Sequence, residues 1–248
     1  MKQNLFLSKI LNLKQLDLGL SIPSDEYQIQ MKGLKNKIRD LTFLAKSKNK
    51  PVLIVFEGWD AAGKGGAIRR LTSEIDPRLF EVHHIAAPNE EEIKHHYLWR
   101  FWNRIPKIGH VGIFDRSYYG RVLVERVEGF ASPPEWSRAY EEIFLFEEQL
   151  QSFGTIIIKF WLHISSDEQL KRFEERKNDP LRRWKLTDED WRNRDKWQLY
   201  EDAANEMFHK TDSPKAPWLL VPANDKYYAR VMVLEGVVNR LEEELKKN

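Results

Sequence analysis

A buried strand that runs directly into a glycine-rich turn is the feature that most constrains the fold of this chain. Residues 52–56 read VLIVF and are apolar at every position. A strand of this kind is typically buried on both faces, inside a parallel sheet that helices cover on each side. The turn at residues 58–66, GWDAAGKGG, follows at once, and a helical pattern begins at Lys64. This order of strand, turn and helix predicts an α/β fold.

Similar apolar runs recur along the chain and alternate with helical patterns. The runs lie at residues 80–85, 111–114, 155–162 and 218–221. The helical patterns lie at residues 24–48, 64–75, 90–104, 117–126, 134–152, 166–178, 187–209 and 225–246. Strands that alternate with helices form βαβ units with right-handed crossovers. We therefore predict one domain over residues 1–248, in which residues 1–25 form an N-terminal arm.

The composition excludes several classes of protein. The 248 residues include no cysteine, which excludes disulfide frameworks, cysteine-ligated zinc, iron–sulfur clusters and thiol catalysis. No apolar run approaches the roughly 18 residues of a membrane-spanning helix. The net charge of +2 predicts no strong attraction to nucleic acid or to a membrane. Lysines interrupt the apolar residues of the N-terminal arm, so it lacks the pattern of a targeting signal, and we expect a cytoplasmic protein.

The turn after the first strand matches most of a phosphate-binding loop. Gly58, four residues, Gly63 and Lys64 reproduce its first seven positions. Glycines let successive N–H groups point at phosphate oxygens, and the helix N-terminus and the lysine add positive charge. The predicted phosphate-binding residues of this loop are Gly58, Ala61, Ala62, Gly63, Lys64, Gly65 and Gly66. This sequence has Gly65 at the position where the motif usually has a serine or threonine that ligates Mg²⁺. The alternative interpretation of residues 58–66 is a glycine-rich turn that binds no ligand.

Two carboxylates are candidate metal ligands. Asp60 lies inside the loop, and Asp115 ends the apolar run at residues 111–114. In phosphate-loop folds a carboxylate at such a strand end faces the loop and holds Mg²⁺. We predict that Asp60 and Asp115 bind Mg²⁺, with Mn²⁺ as an alternative. A helix N-cap is the other interpretation of Asp115.

Basic residues concentrate in two places after these carboxylates. Arg116 and Arg121 follow Asp115 directly, where arginines can neutralise the charge of a transferring phosphate. Residues 171–196 carry ten basic side chains and are interrupted at Pro180, which predicts a helical lid that closes on an anionic substrate. A solvated helix face is the alternative interpretation of this segment. Its predicted phosphate-binding residues are Lys171, Arg172, Arg176 and Arg183.

Four motifs together resemble polyphosphate kinase family 2. They are residues 58–66, Ala87-Pro88, Tyr97-Leu98-Trp99-Arg100 and residues 114–121, and the resemblance extends from residue 26 to residue 245. Asp60 in the loop and Gly65 after the lysine distinguish this family from ordinary nucleotide-binding loops. The residues around Trp59 and Trp99 are similar to the second half of the tandem members that phosphorylate AMP.

The resemblance implies a thymidylate-kinase-like, three-layer P-loop kinase fold with a five-stranded parallel sheet. It also implies Mg²⁺-dependent phosphoryl transfer between inorganic polyphosphate and a nucleoside mono- or diphosphate, with purine nucleotides as acceptors or products. In such relatives the loop holds polyphosphate rather than ATP, and the members assemble as homodimers or homotetramers. Asp60, Lys64, Asp115, Arg116 and Arg121 are then the predicted catalytic residues, and the choice between AMP and ADP stays open.

Two other functions remain compatible with the residues. The first is an ATP-dependent nucleotide or nucleoside kinase of the same fold, which differs in its phosphoryl donor. The second is a non-catalytic phosphate-binding regulator, for which Mg²⁺ and Asp60 would be dispensable. A nucleic-acid-binding role is disfavoured, because the net charge is small and the sequence contains no recognisable nucleic-acid module.

Overall fold

The computed structural model describes residues 12–246, and within them five strands form one parallel sheet. The strands are β1 Val52–Gly58, β2 Phe80–His84, β3 Val111–Asp115, β4 Ile156–His163 and β5 Trp218–Pro222. Their order across the sheet is β2-β3-β1-β4-β5, and every neighbouring pair is parallel. The predicted α/β class and the five-stranded parallel sheet are confirmed.

Helices connect and cover these strands. Within residues 12–246 they are α1 Ser24–Ser47, α2 Lys64–Thr72, α3 Trp99–Trp102, α4 Val124–Val127, α5 Pro133–Ser152, α6 Ser166–Lys177, α7 Asp188–Asp195, α8 Trp197–Thr211 and α9 Lys226–Lys246. Short 3₁₀ turns add Leu13–Gln15, Glu92–Lys94, Tyr118–Val122 and Arg183–Lys185.

Three continuous helices predicted from the sequence are wrong, because the chain is interrupted there. The predicted spans are residues 90–104, 117–126 and 187–209. In the first, the Asn89 side chain accepts hydrogen bonds from the N–H groups of Glu91 and Glu92, and such a local turn competes with a helix. In the last, Lys196 separates α7 from α8 with φ −101° and ψ 24°. The break at Lys196 bears on the site, because it lies between the predicted lid and the rest of the domain.

The helices lie on both faces of the sheet. Lys159 and Phe160 are neighbours in β4, so their side chains point to opposite faces. Lys159 donates to Glu147 of α5 at 2.9 Å, whereas a Cβ on Gly236 of α9 would lie 2.8 Å from the ring of Phe160. Helices α5 and α9 therefore cover opposite faces, which confirms the three-layer arrangement. Gly236 allows α9 to approach the sheet closely.

A buried polar network supports the segment that follows β3. Lys159 is fully buried and donates to Glu147, to the Tyr119 hydroxyl at 3.0 Å and to the Thr211 carbonyl at 2.8 Å. The hydroxyls of Tyr118 and Tyr119 both donate to Glu147. Breaking a buried ion pair of this kind typically costs about 3–5 kcal/mol. The network therefore fixes the turn Tyr118–Val122, which begins three residues after Asp115.

The predicted N-terminal arm falls partly outside the described residues, since the structure describes only residues 12–25 of it. There Leu13 is buried, and its N–H donates to the side chain of Asn205 at 2.9 Å. No helix between residues 12 and 246 is long and apolar enough to cross a membrane.

Candidate active site

The phosphate loop joins β1 to α2 through unusual backbone angles. Gly58 has φ 137°, and a Cβ there would overlap the Leu162 carbonyl of β4. Gly63 has φ 108° and caps the N-terminus of α2. Both positions require glycine, because L side chains rarely adopt such angles. Ala61 also has a positive φ, of 63°, and this backbone strain is typical of a functional turn.

Lys64 folds back over this loop. Its ammonium donates to the carbonyls of Gly58 at 2.7 Å and Trp59 at 3.1 Å. Burial lowers the pKa of Lys64, and the nearby charge of Asp60 partly opposes that change. The cation is therefore held at the start of α2, where the helix dipole also favours an anion.

Asp60 is the single carboxylate of the loop at residues 58–66. Its Oδ1 accepts from Arg116 Nη2 at 2.9 Å, and its Oδ2 accepts from Asn193 Nδ2 at 2.9 Å. Burial alone would raise the pKa of Asp60, but the charges of Lys64 and Arg116 and the bond from Asn193 outweigh burial and hold it below its usual value. Asp60 is thus an anion at the centre of the loop.

Asp115 stands beside the loop at the end of β3. It pairs in register with Phe56 of β1, the residue two positions before Gly58. Its Oδ2 lies 3.4 Å from Nδ1 of His84. The next residue, Arg116, has φ 64°, so the chain turns sharply and returns its guanidinium to Asp60. Asp115 therefore ends the strand beside β1, and Asp60 lies two residues beyond the end of β1.

The donor set fits a hard divalent cation. Among residues 12–246 no group of three or more His, Cys, Asp or Glu side chains could hold a metal by itself. Mg²⁺, however, usually takes one or two protein carboxylates and completes its shell with water and substrate phosphates. Each Asp60 oxygen accepts one bond here and retains a further lone pair. Asp60 and Asp115 together satisfy that requirement, and their metal role stays a prediction.

The two predicted catalytic arginines occupy different surroundings. Arg116 contacts Asp60, and its side chain is 39% exposed. Arg121 forms an ion pair with Glu125 at 3.0 Å and lies 4.5 Å from the ring centre of Tyr97. The structure therefore brings Arg116 to the phosphate loop and places Arg121 in a separate ion pair.

The residues of 171–196 that are predicted to bind phosphate also differ in their surroundings. Arg172 is buried beneath the loop, and its five N–H groups are all in use. The acceptors are the carbonyls of Ala61, Ala62, Ala223 and Asn224 and the carboxylate of Glu168. In this arrangement every donor of Arg172 has a protein acceptor, so Arg172 holds the loop in shape, and its direct contact with phosphate stays a prediction.

The other three residues of that prediction differ from Arg172. Arg176 borders a cavity beside the loop, which Arg172 also borders, but no hydrogen bond within residues 12–246 joins Arg176 to the loop carbonyls. Lys171 is exposed and lies 3.9 Å from Glu168, and Arg183 is exposed in the turn after α6. Neither Lys171 nor Arg183 lines that cavity. Phosphate binding by these three residues stays a prediction.

Two polar residues of the site were missed in the sequence. Glu57 is buried at the end of β1 and accepts from the Ser117 hydroxyl at 2.7 Å. Burial raises the pKa of Glu57 to about 7, although the Ser117 bond and the charges of Lys64 and Arg116 lower it. The position of Glu57 between an apolar strand and the loop could have indicated its role from the sequence. No such signal existed for Asn193, because its bond to Asp60 joins residues 133 positions apart.

The sheet order and the phosphate loop between β1 and α2 define an α/β protein of the P-loop kinase-like class. A model of the family described as Polyphosphate kinase 2 (PPK2) matches residues 21–248. The chain belongs to the polyphosphate kinase 2 family.

Named relatives support this membership. The chain is 50% identical over 236 residues to a polyphosphate:AMP phosphotransferase of Pseudomonas aeruginosa, a match that covers 95% of this chain and 48% of the relative. It is 39% identical to ADP-polyphosphate phosphotransferase 3 of Rhizobium meliloti, with 87% of this chain and 76% of the relative covered. The chain therefore spans about half the length of the curated relatives that it matches at highest identity.

Solved structures agree with the fold. A crystal structure of a polyphosphate kinase 2 from Pseudomonas aeruginosa has a TM-score of 0.92 at 50% identity, over 95% of this chain and 51% of that chain. The Polyphosphate Kinase 2 of Arthrobacter aurescens has a TM-score of 0.91 at 34% identity, over 97% and 88%. The P-loop kinase-like fold expected from the sequence is confirmed.

Proposed function

We propose that this protein transfers a phosphoryl group between inorganic polyphosphate and a nucleoside mono- or diphosphate. The observation that carries this proposal is the junction of Asp60 and Arg116, which links the phosphate loop to the strand end that bears Asp115. Asp60, Asp115 and Arg116 all lie near enough to Lys64 for their charges to affect its pKa, which supports a shared site for phosphate and metal. The names of relatives at 35–50% identity support polyphosphate as the donor.

AMP is the first acceptor to test. The three relatives at 49–50% identity carry the name polyphosphate:AMP phosphotransferase, whereas the relatives named for ADP or GDP are 35–39% identical. ADP, giving ATP, is the second acceptor, and purine nucleotides are expected in both cases.

The proposed chemistry needs no strong base. A terminal phosphate oxygen of the nucleotide attacks the terminal phosphorus of polyphosphate in line. A new P–O bond forms, the bridging P–O bond breaks, and the polyphosphate leaves one unit shorter with the electron pair on its new terminal oxygen. The attacking phosphate is already ionised near neutral pH, so positioning and charge neutralisation carry most of the rate.

The chain's own residues supply that positioning. The N–H groups at the start of α2 and the Lys64 ammonium would hold the terminal donor phosphate, in place of the loop carbonyls that Lys64 now contacts. Arg116 would neutralise charge on the transferred group, and Arg121 would act from its ion pair with Glu125. Removing one such contact should slow turnover by about 10²–10³-fold.

Asp60 and Asp115 would hold Mg²⁺, with Mn²⁺ as an alternative. When bound, the cation supplies charge neutralisation between the donor and acceptor phosphates. A cytoplasmic location, a homodimer or homotetramer, and the absence of membrane and nucleic-acid partners remain predictions that accompany this function.

A donor–acceptor matrix tests the proposal. Purified protein with Mg²⁺ is given polyphosphate or ATP as donor and AMP, ADP, GMP or GDP as acceptor, and products are separated by chromatography. Polyphosphate-dependent ADP or ATP formation is expected, with loss in Lys64→Ala and retention in the surface variant Lys210→Ala. Transfer from ATP alone would identify the ATP-dependent kinase, and no transfer from either donor would favour the phosphate-binding regulator.

A further inference from the structure

Helix α7 contacts both members of the junction between Asp60 and Arg116. The Asn193 Nδ2 donates to Asp60 Oδ2 at 2.9 Å, and Glu189 Oε1 lies 3.8 Å from Arg116 Nη1. Glu189 and Asn193 are four residues apart on α7, so they lie on one face of the helix. That face is therefore turned toward the phosphate loop, although Asn193 and Asp60 are 133 residues apart in the sequence.

Two donors hold the Asp60 carboxylate from different elements. Arg116 Nη2 donates to Oδ1 from the turn after β3, and Asn193 donates to Oδ2 from α7, each at 2.9 Å. A carboxylate that is bonded through one oxygen can still rotate about its Cβ–Cγ bond, whereas one donor on each oxygen fixes its plane. The lone pairs that remain on Asp60 then point in defined directions, and partners that orient a ligand in this way tune the metal it binds.

Tyr200 determines which way the Asn193 amide points. Its hydroxyl donates to Asn193 Oδ1 at 2.9 Å. Since an amide carries an acceptor oxygen and a donor nitrogen, a bond from Tyr200 to the oxygen directs the NH₂ group to Asp60. The reversed amide would place its oxygen against the Asp60 carboxylate, and both of these groups are acceptors. Asn193 and Tyr200 are buried, so a bond lost here is costly to leave unmade.

The phenol of Tyr200 is itself held in place. Its hydroxyl is 3.4 Å from Glu128 Oε1, which is farther than its distance to Asn193. Lys196, the residue between α7 and α8, donates to Glu128 Oε2 at 2.9 Å. The Tyr200 ring also meets the indole of Trp59 edge-on, with ring centres 6.4 Å apart. These contacts keep the hydroxyl within reach of Asn193.

We propose that Asn193 is a positioning residue that orients Asp60 for its cation, and that Tyr200 acts through Asn193 by fixing its amide. The effect on turnover rests on the proposed function and on the predicted metal role of Asp60. Because Tyr200 acts only through Asn193, the two residues act in series. The position of α7, within the predicted lid segment, is thereby coupled to the geometry of a predicted metal ligand.

The test compares Asn193→Ala, Tyr200→Phe and the double variant. Asn193→Ala should weaken Mn²⁺ binding by about 10–100-fold, measured without phosphates from the electron paramagnetic resonance signal of free Mn²⁺. The half-saturating Mg²⁺ concentration for turnover should rise by a similar factor, whereas the KM for polyphosphate at saturating Mg²⁺ should change by less than about twofold. Tyr200→Phe should have a smaller effect of the same kind. The double variant should match Asn193→Ala, because effects in series do not add.

Matched controls carry the same substitutions at exposed positions. Asn239→Ala and Tyr227→Phe should bind Mn²⁺ as wild-type protein does. Urea unfolding without metal shows that the variants fold. Wild-type Mn²⁺ affinity in Asn193→Ala, effects of the single variants that add in the double variant, or no Mn²⁺ binding by wild-type protein would overturn the assignment. Protein that binds Mn²⁺ but transfers no phosphate would contradict the proposed function alone, because Mn²⁺ binding still tests Asn193.

Discussion

The indole of Trp59 stacks on the indole of Trp197, with ring centres 3.6 Å apart and planes 6° from parallel. Trp59 belongs to the phosphate loop, and Trp197 is the first residue of α8, directly after the predicted lid. The Trp59 N–H also donates to Nδ1 of His163 at 2.8 Å. Together with the bond from Asn193 to Asp60, this stack fastens the end of the lid segment to the loop.

We expect Trp197→Ala to loosen that connection. The loss of the half-buried Trp197 indole and of its stacking on Trp59 should lower the free energy of unfolding by about 2 kcal/mol. It should also raise the KM for polyphosphate several-fold, because the predicted lid segment would no longer be aligned with the loop. Urea unfolding and donor kinetics measure both effects. Trp197→Phe should retain much of each, and Trp184→Ala, at an exposed tryptophan, should change stability by less than about 0.5 kcal/mol.

The fold could be predicted largely from the sequence because its signals are local. Apolar runs mark β1, β3, β4 and β5, whereas β2 reads FEVHH and is only partly apolar, and the glycines and Lys64 of the loop lie within nine consecutive residues. The predicted helix at residues 187–209 was wrong at Lys196, because no glycine or proline marks the interruption in the sequence.

The site was less predictable because its contacts join distant parts of the chain. Arg172 could be identified as basic, but its loop-supporting role depends on carbonyls about 110 residues before it and about 50 after it. Asn193 looks like an ordinary helix-surface residue until α7 is placed against the loop. A charge pattern along the sequence does not determine which cations face substrate and which face backbone carbonyls.

Arg172 and Arg183 should therefore differ when each is replaced by alanine. Arg172→Ala leaves four carbonyls without their donor and Glu168 without its partner, so it should cost about 3–5 kcal/mol of stability. Arg183→Ala should change stability by less than about 0.5 kcal/mol, since the side chain is exposed. Urea unfolding of the two variants distinguishes them. Equal stability of the variants would contradict the loop-supporting role.

Asp115→Asn should weaken the dependence of activity on Mg²⁺. The substitution removes one anionic oxygen ligand but keeps the side-chain shape, so we expect turnover to fall by about 10²-fold or more and the half-saturating Mg²⁺ concentration to rise. Stability should change little, because Asp115 is partly exposed. The measurement is polyphosphate-driven product formation over a Mg²⁺ titration. Asp195→Asn, at an exposed carboxylate, is the control, and unchanged turnover in Asp115→Asn would remove the metal assignment.

Two buried groups should give the protein opposing pH dependences. Glu57 has a folded-state pKa of about 7, above its ordinary 4.5, because burial disfavours its ionised form. The folded state keeps that proton while the unfolded state loses it, so stability falls by about 3 kcal/mol as pH rises from 4.5 to 7. Burial lowers the pKa of His163 from 6.5 to about 4. The unfolded state then binds the extra proton, so stability falls by about 3 kcal/mol as pH drops from 6.5 to 4.

Glu57→Gln should reveal the contribution of His163 to the pH dependence of stability. Glutamine keeps a carbonyl oxygen for the Ser117 hydroxyl but cannot ionise, so the variant should match wild type near pH 4.5 and exceed its stability by about 3 kcal/mol at pH 7 and above. Between pH 4.5 and 6.5 the wild-type profile should be nearly flat, whereas that of Glu57→Gln should rise with pH. Urea unfolding from pH 4.5 to 8 measures these profiles, with exposed Glu148→Gln as the control. A constant difference between Glu57→Gln and wild type across this range would show that Glu57 is ionised throughout it.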